Sequence, residues 1–254
     1  MRLRYLWTGA GMAARELLRS RIALILFFLI PTVFTAIILL TTTHKRIAFK
    51  LASVSEETFV QVSQRHEALV FIGLAAVGLL TSFLALTLTQ KHAAVNRRLL
   101  LCGYRTAELI LSKFAVLIGL TIVIGTYVSV LLLFFFRPER LALVVLGFIL
   151  AGYVYGGYGL LVGAIFKREL EGILFIVLLA NIDAGWLQNP IYYAEAQNKA
   201  IIRHLPAYFP SQVSMVSAFT DHPIFNALAG SLAYGTILLF AAMIIYWLRM
   251  RIRK

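Results

Sequence analysis

The stretch Lys91-His92-Ala93-Ala94-Val95-Asn96-Arg97-Arg98-Leu99-Leu100-Leu101-Cys102-Gly103-Tyr104-Arg105-Thr106-Ala107-Glu108-Leu109-Ile110-Leu111-Ser112-Lys113 lies between two long apolar runs. Two membrane spans need only a short loop to join them. This connection is long, basic and helix-like instead. Lys91–Leu101 lacks Pro and Gly and is rich in helix formers, and Gly103 then breaks or caps it. Leu99, Leu100 and Leu101 point in successive directions, so more than one face needs cover. A helix held between a membrane and a docked protein meets that need; a helix free in water does not. Glu108 follows Arg105 at the spacing of a helical ion pair, worth a few tenths of a kcal/mol.

Outward from this stretch the chain is apolar. Of its 254 residues 61% are hydrophobic and 14% charged, and the mean hydropathy is +0.86. The charged share is about half that of a soluble domain. Crossing a hydrocarbon core of roughly 30 Å takes about 20 apolar helical residues. Ile22–Leu40, Ala68–Leu88, Phe114–Phe136, Leu141–Phe166, Gly172–Leu187 and Phe225–Trp247 meet or approach that length. The expected fold is an all-α polytopic membrane protein with six transmembrane helices, a single domain over 1–254. Its parts are an N-terminal interfacial helix (1–21), spans one and two (22–88), a cytoplasmic segment (89–113), spans three to five (114–187), an external segment (188–224), and the last span with a basic tail (225–254). Ile22–Leu40 is too long for a cleavable signal and lacks a small-residue cleavage site. The single cysteine, Cys102, excludes an intramolecular disulfide and a Cys-based metal cluster.

The net charge of +13 reads as membrane topology before it reads as nucleic-acid binding, because Lys and Arg gather in short cytoplasmic segments. With the N-terminus inside, sixteen of the 24 basic residues fall on the cytoplasmic side, including Lys167 and Arg168 between spans four and five. Acidic residues divide the other way, four inside and seven outside. Both termini are therefore expected in the cytoplasm, and no nucleic-acid partner is expected.

The N-terminal segment has its own pattern. At about 100° per residue, Leu3, Leu6, Trp7, Ala10, Ala14, Leu17 and Leu18 share an arc of about 120°, and Arg4, Arg15 and Arg19 cluster on one flank. That is an interfacial helix, with its apolar face in the acyl boundary and its arginines among headgroups or water. Gly9 and Gly11 predict a kink. Pro31 predicts a bend in the first span.

In order, Leu99-Leu100, a turn at Gly103, and Glu108-Leu109-Ile110-Leu111-Ser112-Lys113 resemble the "double leucine, turn, Glu, leucines, Lys" pattern of the membrane subunits of type-two ABC exporters. Leu205-Pro206-Ala207-Tyr208-Phe209-Pro210 before the last span is similar to the family's external segment. The likeness covers essentially the whole chain. It departs at His92, Ala93 and Asn96, where many members carry a glutamate, and at Gly103, where many carry proline. The resemblance implies a coupling helix that contacts a separate ATPase through Asn96, Arg97, Arg98, Leu99, Leu100, Gly103, Tyr104 and Arg105, with Lys167 and Arg168 beside it. It implies short re-entrant helices before the last span, two ABC ATPase subunits per complex, and a second permease subunit, either a copy or a related chain. No Gly-x-x-x-x-Gly-Lys-Ser/Thr occurs. ATP and Mg are therefore expected in the ATPase, and no cofactor in this chain.

Tyr192, Tyr193, Tyr208 and Phe209 read as an apolar gate or an interfacial belt. Asp183 lies about 16 Å along the fifth helix from Gly172. It reads either as a pathway residue or as a group facing an external vestibule beyond an early helix end. Ser211 is expected to cap a short helix ending at Phe219, and Asp221 to cap the last span. Gly152, Gly156, Gly157, Gly159 and Gly163 predict close helix packing within the chain in preference to a dimer seam. A membrane enzyme acting on lipids is the alternative function. The five histidines are scattered, and neither His-Glu-x-x-His nor Gly-x-Ser-x-Gly occurs. A haem-export permease of cytochrome assembly is a further alternative. The expected activity is ATP-driven export of an amphipathic small molecule, an antibiotic or other drug, a lipid or a lipid-linked glycan across a bacterial inner membrane.

Overall fold

A computed structural model describes residues 3–50, 59–90, 98–99 and 102–251. In chain order the elements are α1 (Leu3–Arg19), α2 (Arg21–Thr41), β1 (Arg46–Lys50), β2 (Phe59–Ser63), α3 (Gln64–Gln90), α4 (Thr106–Leu133), α5 (Leu141–Ile165), α6 (Glu169–Ile182), α7 (Pro190–Glu195), α8 (Lys199–Arg203), α9 (Tyr208–Phe219) and α10 (Phe225–Arg251). Asp183–Leu187 continues α6 as a π-helical turn. Among the described residues, six helices are long and apolar enough to cross a membrane: α2, α3, α4, α5, α10, and α6 with its π-turn. The chain is an integral membrane protein of mainly helical fold.

Helix α5 is the hub. It packs on α3, α4, α9 and α10, and its glycines set how closely they approach. Gly147 meets Ser214 of α9, Gly152 meets Thr121 of α4, Gly157 meets Gly235 and Leu238 of α10, and Gly159 and Gly163 meet Ser82 and Thr89 of α3. These are contacts within one chain, as the glycine spacing predicts. Phe148, Ala151, Val154 and Tyr155 on the same helix are wholly buried.

Several boundaries differ from the sequence reading. The second span starts at Gln64 and the third at Thr106. The segment between them is therefore shorter than Lys91–Lys113, because the polar residues Glu108, Ser112 and Lys113 are drawn into the helix. Helix α1 runs unbroken through Gly9 and Gly11. Gly9 serves instead as a close approach, since a Cβ there would lie 3.0 Å from Ser112 Oγ. Residues β1 and β2 pair antiparallel, with Ile47 opposite Val62, a hairpin the sequence reading did not include. Helix α9 begins at Tyr208 with Ala207 as its N-cap residue. Ser211 thus lies inside the helix, where its hydroxyl donates to the Tyr208 carbonyl at 2.7 Å. Asp221 lies 3.9 Å from Arg140 Nε and stands four residues ahead of Phe225, where α10 begins, outside the N-cap position.

Candidate functional site

Two polar constructions stand out, one at each face of the helix bundle. The first surrounds the turn after the central basic stretch. Arg98 and Leu99 are helical. The Cys102 N–H donates to the Arg98 carbonyl at 3.0 Å, and the Tyr104 N–H reaches back to the Leu99 carbonyl at 3.1 Å. Gly103 between them has φ +92°. A bond spanning six residues with a left-handed glycine before its donor is a Schellman-type helix end, so Gly103 stops the helix as its residue type predicts. The chain then re-enters helix at once. Arg105 is extended and its N–H donates to Glu108 Oε2 at 3.1 Å. Glu108 thus back-bonds the start of α4 as in a capping box, where the sequence spacing predicted an Arg105–Glu108 ion pair.

Helix α1 lies against this turn. The rings of Tyr5 and Tyr104 meet edge to face, 4.7 Å between centroids, and Gly9 abuts Ser112 in the second turn of α4. Arg4, Trp7, Arg15 and Arg19 are all exposed, while Ala10 and Leu17 are buried. Among the candidate coupling residues, Arg98, Gly103 and Arg105 are exposed, and Leu99 and Tyr104 are half-buried. Asn96, Arg97 and Leu100 lie outside the described residues. Lys167 and Arg168 are exposed in the α5–α6 turn. That turn shares the same face, because the Phe166 carbonyl accepts from Gln90 Nε2 at 3.1 Å and from Arg249 Nη1 at 3.3 Å.

Sequence reasoning missed Lys113 as a buried cation of this region. Its Nζ has no hydrogen-bond partner among the described residues and lies 6.0 Å from the Tyr246 ring centroid. Both residues border a cavity of about 10 Å³ between α3, α4, α5 and α10, room for roughly one water. Glu67, near the start of α3, was missed for a related reason: it sits one residue outside the apolar run yet is 3% exposed. Only a helix start earlier than the hydropathy boundary would have drawn attention to either.

The second construction centres on Asp183, whose carboxylate is wholly buried. It accepts from the Tyr155 hydroxyl at 2.7 Å, Gln188 Nε2 at 3.0 Å and the Ala207 N–H at 2.7 Å. Gln188 Nε2 also donates to the Ile202 carbonyl at 3.2 Å. One carboxylate thus ties α5, the π-turn of α6, and the connection leading into α9. Tyr155 reaches it because Gly78 leaves room: a Cβ there would lie 2.9 Å from the tyrosine ring. Both sequence alternatives for Asp183 had it facing water, in a pathway or a vestibule, and the structure encloses it within the chain instead. The three other proposed gate residues also part company. Tyr208 is buried, 5.2 Å from the Phe209 ring, and Phe209 packs on Gly230 of α10. Tyr192 is exposed and meets Trp186 edge to face. Burial, with the neighbouring Tyr193 adding to it, pushes the Tyr208 hydroxyl up to about 12, so it acts as a neutral hydrogen-bonding group.

No protein-family model matches the chain, and no curated protein sequence matches it. Among the described residues, no three of His, Cys, Asp and Glu are placed to share a metal ion.

Proposed function

We propose that this chain is the membrane subunit of an ATP-driven exporter of the type-two ABC class. The observation that carries the reading is the helix end at Leu99–Tyr104 followed directly by the capped start of α4. It coincides with the double-leucine, turn, glutamate order in the sequence. In this reading the basic face is cytoplasmic, with both termini, the turn at Gly103 and the Lys167–Arg168 turn facing two ATPase subunits. Helix α1 is the interfacial helix, α7 to α9 are the re-entrant helices of the outer side, and a second permease subunit completes the pathway. The cargo class is an amphipathic small molecule, drug, lipid or lipid-linked glycan, and the membrane is the bacterial inner membrane.

The physical logic is a population shift. ATP and Mg close the partner's nucleotide sites, and closure favours one membrane conformation only through contacts that differ between states. The Gly103 turn supplies such contacts. Helix α4, capped at its start and packed along α5, transmits them as a rigid rod. Leu99, Leu100 and Tyr104 are the docking residues, and Arg97 and Arg98 mainly enforce orientation. Co-purification with an ABC ATPase encoded beside the chain tests the reading. Leu99→Asp combined with Leu100→Asp is expected to abolish recovery of the ATPase while the chain still inserts. Undiminished recovery would remove this segment from the coupling role.

A further inference from the structure

We propose that the exposed side of α1 binds anionic phospholipid headgroups, and that the Tyr5–Tyr104 contact carries this occupancy to the turn at Gly103. The helix has three sides. Gly9, Ala10 and Leu17 form the packed side, with Gly9 set against Ser112. Arg4, Arg15 and Arg19 form an exposed basic side. Between them run Trp7 and Leu18, 71% and 63% exposed. The acid of α1, Glu16, is half-buried, unlike the exposed arginines.

An exposed apolar strip edged by arginines, with no acid among them, matches one chemistry: acyl chains beside negatively charged headgroups. An acidic protein would satisfy the arginines but leave Trp7 and Leu18 uncovered. The link to the turn is short. Tyr5 lies on the first turn of α1, and its ring braces Tyr104, the residue whose N–H closes the turn onto Leu99. Headgroups that hold the arginines keep α1 seated on α4, and Tyr5 then holds the turn closed. Without them α1 rides more loosely and the turn opens more often.

The turn is the one assigned above to ATPase docking, but this inference rests only on the chain lying in a membrane. Its test uses the purified full chain without any ATPase, so the two readings fail separately. The chain is reconstituted in nanodiscs of phosphatidylcholine alone or of phosphatidylcholine with phosphatidylglycerol, and amide hydrogen exchange is followed by mass spectrometry. Phosphatidylglycerol is expected to slow exchange in α1 and at 102–105 by roughly fivefold or more, an effect lost in high salt. Replacing Arg4, Arg15 and Arg19 together by Gln should abolish the dependence at both places, and replacing them by Lys should keep it. Tyr5→Ala should keep it in α1 and abolish it at 102–105. Equal exchange of α1 in the two lipids would overturn the proposal, as would the same slowing from inorganic phosphate added to phosphatidylcholine discs. A response at 102–105 that survives Tyr5→Ala would overturn the transmission step.

Discussion

A carboxylate inside a membrane protein is costly unless donors surround it, and Asp183 has three. Removing the acceptor leaves those donors buried and unpaired, at about 1–3 kcal/mol for each group that cannot relax. Asp183→Leu is therefore expected to lower the unfolding midpoint in detergent sharply. Asp183→Asn should be milder, because its amide oxygen still accepts from Tyr155 and the Ala207 N–H, and Gln188 Nε2 keeps its bond to the Ile202 carbonyl. Tyr155→Phe should be strongly non-additive with Asp183→Leu, since each removes the same Tyr155–Asp183 bond. Equal losses for Leu and Asn, or simple additivity, would show that the carboxylate does not organise this region. Asp183 was conspicuous in the sequence as an acid within an apolar run. Its donors were not, because they come from positions 28 residues before it and 5 and 24 residues after it. Only the tertiary fold brings them together. Lys113 and Glu67 were hidden for a different reason, since each sits at a hydropathy boundary that the helix itself overruns.

At the scale of the elements, α5 shows how much a glycine pattern tells. The spacings Gly152/Gly156 and Gly159/Gly163 look alike in sequence and rightly announce close packing. They do not say which glycine is indispensable. A Cβ at Gly159 would run into the Ser82 backbone of α3, whereas one at Gly156 meets nothing within 4 Å. Gly159→Ala is thus expected to cost about 1–3 kcal/mol through forced separation of α3 and α5. Gly156→Ala should be neutral or stabilising by up to about 1 kcal/mol through helix propensity. Thermal unfolding of the two variants side by side checks the contrast, and equal destabilisation would contradict the packing described. Six apolar helices were legible in the same way, because length and hydropathy specify a span almost regardless of context. The β1–β2 hairpin and the π-turn after Ile182 were not, since both depend on local backbone choices that apolar composition does not encode. The stop at Gly103 was legible because a left-handed residue is needed there and glycine supplies it.

For the molecule as a whole, the proposed reading puts the face carrying α1, the Gly103 turn and the α5–α6 turn in the cytoplasm, as the excess of basic residues there predicts. Cys102 offers a direct reporter: it is the chain's single cysteine, it is exposed, and it lies inside the proposed coupling turn. A membrane-impermeant maleimide is expected to label it in inside-out vesicles and not in intact cells. Labelling only from outside would invert the topology and, with it, the export reading. The same thiol tests the central claim. With a maleimide photo-crosslinker attached at Cys102 in native membranes, illumination followed by mass spectrometry of the adduct is expected to identify an ABC ATPase. That adduct should be lost in the Leu99→Asp, Leu100→Asp variant. Accessible, efficiently labelled Cys102 that captures only lipid, or only proteins without a nucleotide-binding domain, would contradict the account.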